Sequence, residues 1–336
     1  MVASESDRSS RELAQAYESE LLARTGGNHV VFTPCREMAI EWAIAAVRLR
    51  SAGQKFKIIT FVGNELGQTL ACHSASGFPE SQADLGPLVA GFVHCPWGDA
   101  SAVREAIDDQ TAAILIQPIQ TANGLQMAST EFLQELREIA DTNGLWLLSD
   151  ESSFPWGVSG ALDSQSSFGF EPHARILAEG LAGEFPLGVV IWQDQLPDAL
   201  QTHPLLQTLP VAATIATAGQ TVLKDLNEES LQSVQAVAAM CERALISLVD
   251  DFEFVKEIRQ RGILFAVEMD IPVEPLVAEL SQHGEAFRTA GSHTLRIQPP
   301  FQMTSEDLEN LVADLHQVLQ SVERAADPTE EPVAGP

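Results

Sequence analysis

Residues 145–162 read LWLLSDESSFPWGVSGAL. Leu145–Leu148 is apolar without alternation, the pattern of a strand covered on both faces, and it ends abruptly in Ser149-Asp150-Glu151. Before it, TEFLQELREIADT at 130–142 has helical character. Beyond it come two more short strand candidates, Arg175–Leu177 and Leu187–Trp192. A helix leading into a buried strand, followed by further buried strands, is the repeating unit of a mainly parallel sheet with helices on both sides. In such sheets ligands bind beyond the carboxyl ends of the strands, so chemistry is expected just after each apolar run.

The same alternation extends toward the N-terminus. Ala112–Ile116, Phe92–Cys95, KIITFV at 57–62 and His29–Phe32 are strand candidates, with helices predicted near 100–107, over Arg36–Leu49 and over 8–24. Toward the C-terminus, 210–249 is Ala-rich and helical. A second β/α region follows: Phe254–Ile258, Gly262–Met269, a helix at 273–283, a strand near 294–297 and a helix from Ser305 to about Val322. The resulting division is an N-terminal helix (1–24), a large α/β domain (25–210), a connecting helix (211–249), a small C-terminal domain (250–324) and a disordered tail (325–336), the last because it is polar and Pro-rich.

Composition narrows the function classes. The 336 residues carry 19 Lys+Arg against 47 Asp+Glu, a net charge of −28. Such a surface repels phosphate backbones and anionic headgroups, which disfavours nucleic acid and membranes as partners. No apolar run approaches the roughly 20 residues of a membrane span, and the first residues lack a signal-peptide core, which predicts a cytoplasmic protein. Cys35, Cys72, Cys95 and Cys241 are scattered without metal-site spacing, so reduced thiols and no structural metal are expected.

Seven blocks in order resemble the acetylornithine/ornithine branch of the class-III, pyridoxal-phosphate-dependent aminotransferases. They are VFTPCREMAIEWAIAAVR (31–48), FVGNELGQTLACHSASG (61–77), ILIQPIQTANG (114–124), the 145–162 stretch, ILAEGLAGEFPLGVV (176–190), RGILFAVEM (261–269) and LRIQPPFQMTSEDL (295–308). The resemblance implies a fold-type-I architecture: a mainly parallel seven-stranded sheet in a large domain, with a smaller C-terminal α+β domain. It also implies a two-fold dimer, and an N-terminal region shorter than the family's.

The functional positions depart from the family's pattern. Its Schiff-base lysine precedes Gly-Leu; here that residue is Glu179, in Leu177-Ala178-Glu179-Gly180-Leu181, 29 residues after Asp150. A carboxylate cannot condense with an aldehyde as an amine does. The four lysines, Lys55, Lys57, Lys224 and Lys256, are all expected away from the strand ends. The family's phosphate-cup Ser-Gly-Thr becomes Cys35-Arg36-Glu37, its aromatic–His pair becomes Glu65-Leu66, and the Glu of its Glu-Pro-Ile-Gln motif becomes Gln117. The Gln of its Asp-Glu-Val-Gln becomes Ser153. Asp150 retains the carboxylate that faces the cofactor's pyridinium nitrogen in the family, but here it is read first as structure, a strand-end carboxylate accepting backbone N–H bonds. Thr208 matches a threonine that reaches the phosphate across the family dimer, but its neighbours do not match.

These residues predict a homologue that binds no cofactor and serves as a scaffold or regulatory subunit, as a homodimer or with a paralogue. Arg36 is expected to pair with Glu179 or Asp150 inside the old pocket, because buried charges need partners. Two alternatives are kept: an active transaminase, and new acid/base chemistry using two of the carboxylates clustered near the old cavity (Glu65, Asp150, Glu151, Glu179) with Cys35 or a histidine such as His173.

Overall fold

The computed structural model describes residues 5–207, 210–282, 284 and 286–326. They divide into two compact units. Of the described residues, the larger contains those within 5–122, 127–157 and 161–228, and the smaller those within 123–126, 158–160 and 229–326.

The larger unit is built on a seven-stranded sheet. Its strands in chain order are β1 (His29–Thr33), β2 (Lys57–Phe61), β3 (Phe92–Cys95), β4 (Thr111–Ile116), β5 (Trp146–Asp150), β6 (Ala174–Leu177) and β7 (Gly188–Trp192). They lie in the order β1-β7-β6-β5-β4-β2-β3. Pairing is parallel from β3 through β6, and β7 runs antiparallel to both of its neighbours. β4, β5, β6 and β7 are buried at every position, mostly apolar but with Ser149, Asp150 and Arg175 buried among them. The helix Arg36–Leu49 buries Ala39, Ile40, Ala43, Ile44 and Val47 against Ile58, Leu115, Leu148 and Ile176 of the sheet. Thr130–Asn143 starts on a Ser129 cap that accepts the Phe132 N–H and stops at left-handed Gly144, so β5 is re-entered two residues later.

One consequence of this order positions everything that follows. β1, β2, β4, β5 and β6 all point the same way, so residues 33–37, 61–67, 117, 150–153 and 177–180 emerge at one edge of the sheet. Gly188, entering β7 at the same edge, lies so close to the start of the Arg36 helix that a Cβ there would sit 2.2 Å from the Cys35 carbonyl oxygen.

The smaller unit holds an antiparallel sheet, β8 (Val255–Arg261), β9 (Leu264–Met269), β10 (Phe287–Thr289) and β11 (Thr294–Ile297), in the order β8-β9-β11-β10. Three boundaries differ from the sequence reading. The 211–249 segment is three helices, Ala213–Asp225, Glu228–Leu245 and Leu248–Asp251, and the first belongs to the larger unit. The final helix runs Ser305–Ala326, so Ala325 and Ala326 are helical; the remainder of the expected tail, 327–336, lies outside the described residues. The N-terminal helix covers Glu5–Thr25. Among the described residues no helix is long and apolar enough to cross a membrane.

Candidate active site

Asp150 closes β5 with its side chain wholly buried. Its Oδ1 accepts the Ser152 N–H at 3.1 Å and the Ser152 hydroxyl, and its Oδ2 accepts from Gln117 Nε2 at 2.8 Å. Arg36, in the first turn of its helix, places Nη2 3.6 Å from the same Oδ2. The rest of the guanidinium is equally committed. Nε donates to Ser152 Oγ at 2.8 Å, Nη1 pairs with Glu65 Oε2 at 2.8 Å, and Nη2 also donates to the Glu65 carbonyl.

Glu65 is fixed from behind. Gln117 accepts its N–H at 2.8 Å and donates to its carbonyl at 2.7 Å, and Gly67 N–H holds its Oε1 at 2.8 Å. Segments following β1, β2, β4 and β5 are thus joined by one network of Arg36, Glu65, Gln117, Asp150 and Ser152. Burial pushes the Asp150 carboxyl above its ordinary range, and this outweighs the lowering by Arg36, Ser152 and Gln117. The Arg36 guanidinium loses solvation as well, yet Asp150 and Glu65 hold it more firmly protonated than usual.

Glu179 follows β6, whose Ile176 pairs with Asp150, so it belongs to the same sheet edge. It is exposed, and its carbonyl accepts the Trp156 N–H at 3.1 Å. Cys35 caps the Arg36 helix without a side-chain hydrogen bond, and Glu37 lies in the first turn against Gly67. Ser153 follows Ser152 with its hydroxyl oxygen buried and unbonded.

A family model for aminotransferase class-III matches residues 6–319. The chain belongs to the class-III aminotransferases. It is 33% identical over 295 residues to the acetylornithine aminotransferase of Brucella melitensis, covering 85% of this chain and 73% of that protein. It is 28% identical over 302 residues to that of Caldanaerobacter subterraneus, 88% of this chain and 77% of the relative. The ornithine aminotransferase of Toxoplasma gondii superposes with TM-score 0.83 at 23% identity, over 93% of this chain and 76% of that one. A transaminase from the marine bacterium Virgibacillus gives 0.86 at 20% identity, over 94% and 80%. At those identities the structures establish the fold: a fold-type-I class-III scaffold.

Within this class-III scaffold, the expected positions divide in two. Cys35, Arg36, Glu37, Glu65, Gln117, Asp150, Ser153 and Glu179 gather at one sheet edge. Thr208 lies outside the described residues. Leu66 turns away into the hydrophobic core, wholly buried, with its N–H on Ser76 Oγ. Two further expectations are corrected. Glu151 does not join Asp150, because successive strand residues face opposite ways; it pairs with buried Arg175 at 2.7 Å and accepts from Ser149 and Ser164. His173 precedes β6, at the opposite edge of the sheet, where its Nδ1 accepts the Leu147 N–H and its Nε2 lies 3.7 Å from Asp141.

The nearest partner of Arg36 is Glu65, which the sequence reading did not pair with it, and Ser152 was not singled out. For Arg175 a signal existed: a charged residue inside an apolar strand needs a buried acid.

Proposed function

We propose that this chain is a class-III aminotransferase homologue that does not transaminate and acts as a protein subunit, as a homodimer or beside a catalytic relative. The observation that carries this reading is Glu179 at the end of β6, where the family's motif places its lysine. The four lysines supply no replacement on the larger unit's Asp150 edge. Lys57 begins β2 at the far edge and pairs with Asp108, and Lys55 lies in the turn before it. Lys224 is exposed on the helix Ala213–Asp225, and Lys256 pairs with Asp270 at 2.7 Å in the smaller unit.

Pyridoxal phosphate, when bound, supplies an electron sink for carbanion chemistry. The residues here do not fit it. Asp150 Oδ2 already accepts from Gln117 and faces the Arg36 guanidinium at 3.6 Å, so a pyridinium N–H would compete with both. The Arg36 helix begins with a guanidinium bonded to Ser152 and Glu65 and with a carboxylate, Glu37, in its first turn. No catalytic step follows from this arrangement.

The subunit role is supported by an apolar face on the larger unit. Met38 is 48% and Leu205 75% exposed. With Pro34, Trp42 and Ala45 they border a cavity of about 480 Å³.

Mixing the purified protein with pyridoxal phosphate, reducing with borohydride and mapping lysines by mass spectrometry tests the reading. No trapped adduct and no aldimine absorbance are expected. An adduct on any of the four lysines would instead favour an active transaminase, a reading that 33% identity to acetylornithine aminotransferases also supports. Glu151 and His173 lie elsewhere, so new acid/base chemistry at this edge would rest on Asp150, Glu65 or Glu179 with Cys35.

A further inference from the structure

We infer that Arg36 is an internal counter-ion that closes and balances the Asp150 pocket, so that the fold needs no bound cation there. This rests on the reading of the pocket as cofactor-free, and it adds what has taken the cofactor's place. A wholly buried carboxylate without a partner is strongly disfavoured. Here the cation comes from the chain, and its geometry is particular to a guanidinium. Nε reaches Ser152, Nη1 reaches Glu65, and Nη2 reaches both the Glu65 carbonyl and Asp150. These are three directions in one plane, which an ammonium cannot supply.

Glu65 is the clamp on this cation. Its carboxylate holds Arg36 on the exposed side while Asp150 holds it on the buried side, with side-chain exposures of 35% and 0%. Gln117 makes the clamp rigid by bonding Glu65 at both its N–H and its carbonyl. The same Gln117 donates to Asp150. A family-type Glu at 117 could not donate that bond, and a family-type Gly at 36 could not supply the charge. The substitutions at 36, 65 and 117 are therefore mutually dependent rather than separate losses. Each makes sense only with the other two.

Thermal melts of wild type, Arg36→Lys, Arg36→Ala and Arg36→Ala/Asp150→Asn, all without added cofactor, test this. Both single variants should lose on the order of 10 °C in Tm, since breaking one side of a buried pair is costly. Removing the Asp150 charge in the Arg36→Ala background should restore most of that loss. Millimolar methylguanidinium should raise the Tm of Arg36→Ala and leave wild type and the double variant unchanged. Arg36→Lys melting with wild type, or Arg36→Ala and the double variant melting together, would overturn the inference. If Arg36→Ala yields no folded protein, Arg36→Lys alone carries the decision. Borohydride trapping on wild type is read separately: an adduct would sink the inactive assignment, whatever the melts show.

Discussion

At the residue scale, Asp150 makes a prediction about acid. Its carboxyl is raised above the ordinary 3.8 by burial, so the folded chain binds this proton more tightly than the unfolded chain does. Stability from this group is therefore fully present below 3.8 and is lost as pH rises through the raised value. Most acid-sensitive carboxylates behave the opposite way. Urea unfolding of wild type and Asp150→Asn from pH 4 to 8 isolates the effect, because all other groups cancel. The advantage of wild type over the variant should shrink as pH rises; a flat or growing difference would refute it. On the other face of β5, Arg175→Met strands Glu151, of which 3% is exposed, in a dry interior. A loss of about 3–5 kcal/mol is expected in the same experiment, with Glu151→Gln/Arg175→Met recovering a large part.

These two carboxylates also mark how far side-chain placement could be read. Asp150 and Glu179 were legible because motif spacing puts both just past strands. Glu151 was misassigned although strand alternation alone sends it to the far face from Asp150. The Arg36–Glu65 pair was hidden for a different reason. Its partners come from loops after β1 and β2, and only the strand order β1-β7-β6-β5-β4-β2-β3 carries those loops to one edge.

At the scale of elements, apolar runs identified the buried strands well, since a strand covered on both faces leaves little room for polar residues. They could not tell that β7 runs against its neighbours, because a buried strand reads the same in either direction. The break inside 211–249 was legible in principle: Asn227 followed by Glu228-Glu229 is a helix-start signature, with acids at the positive end of the dipole. Gly188 carries the prediction for this scale. It admits the Cys35 carbonyl at a distance where any Cβ would collide, with Thr33 Oγ1 also 2.5 Å away. The carbonyl is backbone and cannot swing aside, and Thr33 Oγ1 is tied to it by a 2.9 Å hydrogen bond. Gly188→Ala should cost about 1–3 kcal/mol and, by displacing the start of the Arg36 helix, weaken the coupling between Arg36 and Asp150 in a double-mutant cycle. An alanine variant as stable as wild type would show that β7 does not fix that helix.

For the whole molecule, the net charge of −28 sets the terms on which any two copies meet. Each brings the same repulsion, so self-association must draw on apolar burial, and the exposed Met38 and Leu205 offer it on the larger unit. Repulsion between like-charged surfaces is screened by salt, with a Debye length of about 10 Å at 0.1 M and about 3 Å at 1 M. Apolar burial is not weakened by the same addition. A homodimer of this chain should therefore tighten as sodium chloride rises from 20 to 500 mM, the reverse of the salt response of a polyanion-binding protein. Sedimentation equilibrium across that range measures it directly. Met38→Glu/Leu205→Glu should shift the population to monomer by adding charge to the contact as well as removing apolar surface. Neither change touches the Arg36 network, so the Tm coupling between Arg36 and Asp150 should survive in the monomer. A protein that stays monomeric at every salt concentration would exclude the homodimer and leave pairing with a less acidic relative, since weaker like-charge repulsion would then favour the mixed species.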